Sequence, residues 1–291
     1  MTKMTAIILA AGKGTRMESI LPKVLHKVCG CSMLEHVLNA AEAAGCRDNV
    51  VILGHGAELV SEIIEDRARI ALQKKQLGTG HAALQAADVL KDFTGTAMIL
   101  CGDTPLLEAA ELRKFHEKHV QSGATATIMT AIMEAPFGYG RILRNDKGDV
   151  TGIVEEKDAT DEQKQIKEIN AGIYCIEAPL LFEVLRSLTN KNRQGEYYLT
   201  DIVATLCAMG QKVGSVVTVD TEMIMGVNTR QQLAEAEKIM QRRMQEKVTA
   251  SEMLRETALE RLVAIGAIAT EVAREKKNEA GGKKNSVFNK Q

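Results

Sequence analysis

An apolar run at residues 5–9 passes straight into Leu9-Ala10-Ala11-Gly12-Lys13-Gly14-Thr15-Arg16-Met17. This opening of strand into glycine loop restricts the fold more than any other feature. The same rhythm continues as far as Cys101, with helical spacing over residues 33–44, 57–66 and 79–90 and apolar runs at 49–53 and 97–101. Short, nearly continuous apolar runs read as strands buried on both faces. Alternated with amphipathic helices, they predict a Rossmann-like α/β fold with a mixed, mainly parallel sheet. Ligands in such folds sit beyond the carboxyl ends of the strands.

After residue 124 the pattern changes. Residues 124–131 and 169–176 read as strands, and 198–208 as a helix. Runs at 141–143 and 150–155 flank the turn Asn145-Asp146-Lys147-Gly148 and read as a hairpin. This predicts a smaller substrate-binding lobe over residues 124–228, set on the same sheet as the half formed by residues 1–123. Leu233, Ala236, Ile239, Met240 and Met244 then form a one-sided stripe over residues 229–247. Thr249 with Glu252 resembles a capping box that opens a second helix, so that a helical arm covers residues 229–274. The tail, 275–291, is rich in Lys, Gly and Asn and reads as disordered.

A formal net charge of −1 over 291 residues excludes a global field for nucleic acid or a membrane surface, so any phosphate must be held by local geometry. The six cysteines (Cys29, Cys31, Cys46, Cys101, Cys175, Cys207) make no CxxC pair, which points to reduced thiols and a cytoplasmic protein. No stretch reaches the roughly 18 apolar residues of a membrane span. His116 and His119 stand one helical turn apart, but in the order His-Glu-Lys-His, which reads as a solvated helix face rather than a metal pair.

The first loop lacks the third glycine of a dinucleotide fingerprint, because Met17 stands there, and it lacks the Gly-Lys-Ser/Thr of a Walker loop. Small residues and two glycines still present bare backbone N–H groups as a concave anion nest. Lys13, Arg16 and Lys23, the last fixed by Pro22, add three cations. Phosphate binding is the better reading than a glycine turn with solvated charges.

Further motifs follow in order: Leu21-Pro22-Lys23-Val24-Leu25-His26; Gln73 with Gln76-Leu77-Gly78-Thr79-Gly80-His81; Gly102-Asp103-Thr104-Pro105; Gly138-Tyr139-Gly140-Arg141; Ile153-Val154-Glu155; Glu168-Ile169-Asn170-Ala171-Gly172; Gly195-Glu196-Tyr197-Tyr198-Leu199-Thr200-Asp201; and Gly226-Val227-Asn228-Thr229-Arg230. Over residues 4–230 this series resembles the uridylyltransferase domain of the bacterial bifunctional UDP-N-acetylglucosamine pyrophosphorylases.

The resemblance implies a nucleotide-diphospho-sugar transferase fold and Mg²⁺-dependent transfer of uridylyl from UTP to N-acetylglucosamine 1-phosphate, a step of cell-wall precursor synthesis. It implies Asp103 and Asn228 as Mg²⁺ ligands, Lys23 near the α-phosphate and Arg16 on the leaving pyrophosphate. Leu9, Ala10, Ala11, Gly12, Gly14 and Thr15 match the nucleotide loop, and Gln73, Gly78 and Thr79 the uracil site. Gly140, Glu155 and Asn170 match sugar ligands, Tyr197 and Thr200 shape the acetamido pocket, and Cys101 neighbours the sugar. Cys101 departs from relatives that carry a tyrosine, so that tyrosine's hydrogen bond is not carried over. His26 and His81 belong to loop motifs and are expected to orient them.

The family continues into a left-handed β-helix of hexapeptide repeats that binds acetyl-CoA. Nothing after Arg230 shows that repeat, so acetyl transfer is not expected, and self-association is expected to run through the C-terminal helices. A pyrophosphorylase for another sugar phosphate, such as glucose 1-phosphate, is the neighbouring reading. A non-catalytic sugar-nucleotide sensor acting through the C-terminal helices is the reading from another class.

Overall fold

The computed structural model describes residues 3–250 together with Glu252, Met253 and Arg255. Strands β1 (Met4–Ala10), β2 (Lys27–Val28), β3 (Cys31–Ser32), β4 (Val50–Leu53), β5 (Arg69–Leu72) and β6 (Thr96–Cys101) belong to the first half. Between them lie helices α1 (Met33–Ala44), α2 (Ala57–Ile64) and α3 (Thr79–Leu84). α4 (Ala109–Ser122) closes the first half, and the second adds β7 (Ala126–Ile132), β8 (Arg141–Arg144), β9 (Val150–Val154), α5 (Asp161–Lys164), β10 (Glu168–Glu177), α6 (Ala178–Ser187), α7 (Asp201–Ala208) and β11 (Val213–Thr218).

Among the described residues the main sheet has nine strands, in the order β11-β7-β10-β6-β1-β4-β5 with β8 and β9 attached to β10. β1 pairs in parallel with β4 and β6, whereas β10 runs antiparallel to β6 and β7. The chain proceeds from β1 outward to β4 and β5, then returns to β6 on the other side of β1. The strand order thus reverses between β1 and β6, and ligands in open α/β sheets bind beyond the carboxyl ends of the strands at such a switch point.

Alternation along β1 explains why the sheet is covered twice. Ala6 and Ile8 pack with Leu34, Leu38, Leu112 and Phe115 on one face. Ile7 packs with Leu181, Leu185, Ile202 and Val203 on the other. The sequence of α1 specifies its ends: Ser32 accepts from the Glu35 N–H at 3.2 Å, Glu35 accepts from the Ser32 N–H at 2.7 Å, and Gly45 closes the helix at φ 106°. Such a cap contributes about 1 kcal/mol.

Three sequence expectations are corrected. The helix expected over residues 79–90 stops at Leu84 and gives way to turns. The Gln85 side chain donates to the His81 carbonyl at 2.8 Å, taking the acceptor a continuing helix would give the Gln85 N–H, which turns to Ala82 instead. The helix expected over residues 198–208 begins at Asp201, because the Leu199 N–H donates to Thr79 Oγ1 at 3.0 Å. Thr249 opens no helix: it lies inside one, its hydroxyl donating to the Gln245 carbonyl at 3.1 Å. The rest of the expected second helix and the tail lie outside the described residues.

The chain divides into two compact units, Met1–Ile239 and Met240–Gln291. Residues 230–239 are helical in the first, as are residues 240–250 in the second. No helix among the described residues is long and apolar enough to cross a membrane.

Candidate active site

Leu9 and Cys101 are register partners on adjacent parallel strands, so the segments after β1 and β6 leave the sheet side by side. The Gly102 N–H still donates to the Leu9 carbonyl at 2.9 Å, which places Asp103 one residue beyond the last rung. A cleft of about 300 Å³ opens there, lined by Leu9, Ala10, Ala11 and Gly12 from one loop, Cys101 and Asp103 from the other, and Lys23, Gln73, Gly78 and Thr79. Ten residues singled out in the sequence thus share one cavity. Val24, Gln76, Ala82 and Glu196 also line it. Val24, Gln76 and Glu196 stood inside quoted motifs with no role of their own, and Ala82 directly follows one.

At the mouth of this cleft four polar side chains converge. The Lys23 ammonium donates to Asp103 Oδ2 and, at 3.0 Å, to Asn228 Oδ1. Arg16 Nη2 donates to the same Asn228 oxygen at 2.9 Å. Backbone contacts enforce the meeting, because the Val227 N–H donates to the Asp103 carbonyl at 2.8 Å. Gly14 is required here: at φ 61° it occupies the left-handed region, and a Cβ would stand 2.6 Å from Lys23 Cβ. Gly14, Thr15 and Arg16 do not line the cleft itself. They form the outer loop around it, with Lys13 exposed beside them.

A carboxylate and an amide oxygen within reach of one ammonium form an oxygen donor pair. That chemistry fits Mg²⁺, which takes few protein ligands and completes its shell with water and phosphate oxygens. Among the described residues no group of three or more His, Cys, Asp or Glu is placed to hold a metal, so a site richer in protein ligands has no counterpart here.

Gln73 is buried rather than a surface residue, at 3% exposure. Its Nε2 donates to the Gly78 carbonyl at 3.0 Å and lies 3.0 Å from His81 Nδ1. Burial lowers the pKa of His81, so its neutral ring can accept from that amide. With Nε2 committed to these two partners, Oε1 is the part of the amide left for a base. Gly78 is also required by the fold. At φ 113° its missing Cβ makes room for the Tyr197 backbone, whose oxygen would be 2.5 Å away. Gly80 donates to the Tyr197 carbonyl and Tyr197 to the Leu77 carbonyl, each at 2.8 Å, so this segment is zipped to residues 197–199.

Gly140, Glu155, Asn170, Tyr197 and Thr200 do not line the cleft. Four of them are joined in pairs in the lobe built on β8–β10. Asn170 N–H donates to the Gly140 carbonyl at 2.9 Å, and the Thr200 hydroxyl to Glu155 Oε1 at 2.9 Å. The Glu155 carboxyl is pushed up chiefly by burial, with Asp201 and Asp158 adding repulsion against the Thr200 hydrogen bond. The register of β10 against β7 shifts between Asn170 and Tyr174, and there Asn170 Nδ2 donates to the buried Tyr174 Oη at 2.7 Å. Tyr174 was not anticipated, since it reads as an ordinary strand aromatic. Cys101 joins lobe and cleft, its Sγ 4.0 Å from the Gly172 carbonyl, and burial first, then the Asp103 charge, raise the pKa of the Tyr139 phenol.

The His116–His119 face is not solvated. His119 is buried with Nδ1 2.8 Å from Thr127 Oγ1, and burial together with His116 lowers its pKa to about 4. It is a core histidine because α4 turns that face toward β7. Cys29 and Gly30 form the turn of the β2–β3 hairpin, both at positive φ.

The sequence profile of the nucleotidyl transferase family matches residues 5–222. The bifunctional protein GlmU of Heliobacterium modesticaldum is 51% identical over 247 residues, which cover 85% of this chain and 54% of that protein. GlmU of Caldanaerobacter subterraneus subsp. tengcongensis is 49% identical over the same shares. The chain spans about half the length of the curated relatives it matches. A solved UDP-glucose pyrophosphorylase, complexed with UDP-glucose, superposes with a TM-score of 0.65 over 84% of this chain and 100% of its own, at 16% identity. That likeness shows the α/β nucleotide-sugar transferase fold, with its mixed, mainly parallel sheet. Together with the cleft at the β1–β6 switch point, these matches establish that the chain belongs to the nucleotidyl transferase family and is a nucleotidyltransferase.

Proposed function

We propose that the chain transfers uridylyl from UTP to N-acetylglucosamine 1-phosphate, giving UDP-N-acetylglucosamine and pyrophosphate. The observation that carries this reading is the convergence of Arg16, Lys23, Asp103 and Asn228 at the mouth of a cleft that also contains Gln73.

A phosphate oxygen of the sugar 1-phosphate attacks the α-phosphorus of UTP. A new P–O bond forms as the bond to the β-phosphate breaks, and pyrophosphate leaves with the electron pair. A phosphate monoester with a second pKa of about 6 is already largely dianionic at neutral pH, so no general base is needed. The protein's task is charge neutralisation and in-line positioning. Lys23 serves as a fixed cation near the α-phosphate, and Arg16 presents a planar fork to the departing pyrophosphate. Asp103 and Asn228 would hold Mg²⁺, which when bound neutralises phosphate charge.

Gln73 Oε1 accepts from the N3–H of uracil, whereas cytosine presents an acceptor at that atom. In the lobe, Glu155, Asn170 and Thr200 supply polar groups for sugar hydroxyls and the acetamido group, with Tyr197 and Gly140 completing the set. The test is pyrophosphate release with UTP, CTP, ATP and GTP in turn, with and without EDTA. Release confined to UTP and abolished by EDTA supports the reading. Release with CTP at an equal rate, or in EDTA, overturns the base or the metal assignment.

A further inference from the structure

The phosphate loop and the segment carrying Asn228 exchange arginines. Arg16 reaches out of the loop to Asn228 Oδ1 at 2.9 Å. In return, Arg230 donates from Nε to the Met17 carbonyl at 3.1 Å and from Nη2 to the Glu18 carbonyl at 2.8 Å. These two carbonyls terminate the single 3-10 turn Thr15–Met17, where backbone acceptors lack partners of their own. A guanidinium is the one side chain whose planar fork bridges two adjacent acceptors.

The turn needs such an anchor. It is flanked by left-handed residues on both sides, Gly14 at φ 61° and Glu18 at φ 48°. Glycine adopts that conformation freely, but glutamate does not. The buried Met17 side chain pins the turn from beneath, and Arg230 holds it from the rim. Arg230 is itself rigidly placed at the start of a helix. Thr229 Oγ1 accepts from the Gln232 N–H at 3.2 Å, and Gln232 Oε1 accepts from the Asn228 N–H at 2.8 Å. One capped helix start therefore orients both Asn228 and Arg230. The same arginine bears on His26, whose pKa is lowered by burial first and then by the Arg230 charge.

We propose that Arg230 is a positioning residue that clamps the phosphate loop in the geometry that delivers Arg16 to the triphosphate. The consequence for turnover rests on the uridylyltransferase reading; the clamp itself does not. Arg230 is exposed, so its removal leaves the core intact. The test compares the full chain with Arg230→Ala and Arg230→Lys, by limited trypsin digestion without nucleotide and by steady-state kinetics.

In Arg230→Ala, cleavage after Lys13 and Arg16 is expected to accelerate about tenfold, with cleavage at Lys147 in the β8–β9 turn unchanged. kcat/KM for UTP is expected to fall about 10- to 100-fold, with KM for the sugar phosphate unaltered. Arg230→Lys, which keeps the charge but replaces the two-pronged fork with a single ammonium, should lie between. Unchanged cleavage at Arg16, equal acceleration at Lys147, or unchanged kcat/KM for UTP despite a loosened loop would overturn the proposal. A wild-type chain that releases no pyrophosphate would defeat the uridylyltransferase reading and leave the digestion pattern to decide the clamp.

Discussion

Lys23 Nζ donates to Asn228 Oδ1 at 3.0 Å, joining a loop near the start of the chain to one 205 residues later. Lys23 also pairs with Asp103, so one ammonium touches both oxygens assigned to the metal. Replacing Lys23 by Ala should lower the rate of pyrophosphate release by about 10²–10³-fold, the usual scale for losing one preorganised electrostatic group. The KM for the sugar phosphate should move little. Steady-state kinetics beside a thermal unfolding curve check this; a lost rate with a collapsed melting temperature would mean misfolding instead.

Gln73 Oε1 should discriminate uracil from cytosine, since Nε2 is held by Gly78 and His81. Gln73→Ala should reduce the preference for UTP over CTP by about 10- to 100-fold, because a site built around a hydrogen bond rejects analogues that cannot make it. Competition kinetics with both nucleotides measure the ratio. An unchanged ratio would move base recognition away from this residue.

Much of this was legible in the sequence, for identifiable reasons. β1, β4 and β6 are central strands with almost every residue buried, so each reads as an apolar run. β5 and β11 sit at the two edges of the sheet; β5 has only three apolar residues, two of them exposed, and β11 is interrupted by Gly214 and Ser215, so no long apolar run marks either. α6 carried its own signal, a proline in its first turn before an apolar stripe, but no motif drew attention to it. The cleft residues were legible because they cluster in glycine-bearing loops directly after strands. Tyr174 and Arg141 were not. Each is a side chain whose importance arises only from burial, Tyr174 against Asn170 and Arg141 in an ion pair with Glu156 at 2.7 Å.

Glu155 carries a carboxyl raised mainly by burial. Such a group contributes stability that is fully present below its unfolded-state pKa and is lost as pH rises through the higher folded value. Glu155→Gln removes that dependence. The difference in melting temperature, variant minus wild type, should therefore be near zero at about pH 4 and become positive toward neutral pH. A difference that does not change with pH would mean the carboxylate is not held at a cost.

His119 gives the opposite slope. Its pKa is lowered to about 4, by burial first and His116 second, so between that value and the ordinary 6.5 the unfolded chain binds the proton more tightly. Stability should fall as pH drops through that window, by up to about 3 kcal/mol. Urea unfolding from pH 7 to pH 4 should show this acid limb in the wild type and a flatter one in His119→Gln. Equal slopes would place the proton elsewhere.

The most direct test of the central claim is pyrophosphate release from UTP and Mg²⁺ with N-acetylglucosamine 1-phosphate, with glucose 1-phosphate, and with no sugar. The arrangement of Glu155, Asn170, Tyr197 and Thr200 predicts rapid release with the N-acetyl sugar, far slower release with glucose 1-phosphate and none without sugar. Equal or faster release with glucose 1-phosphate would contradict the sugar assignment, and no release in any arm would contradict uridylyl transfer itself.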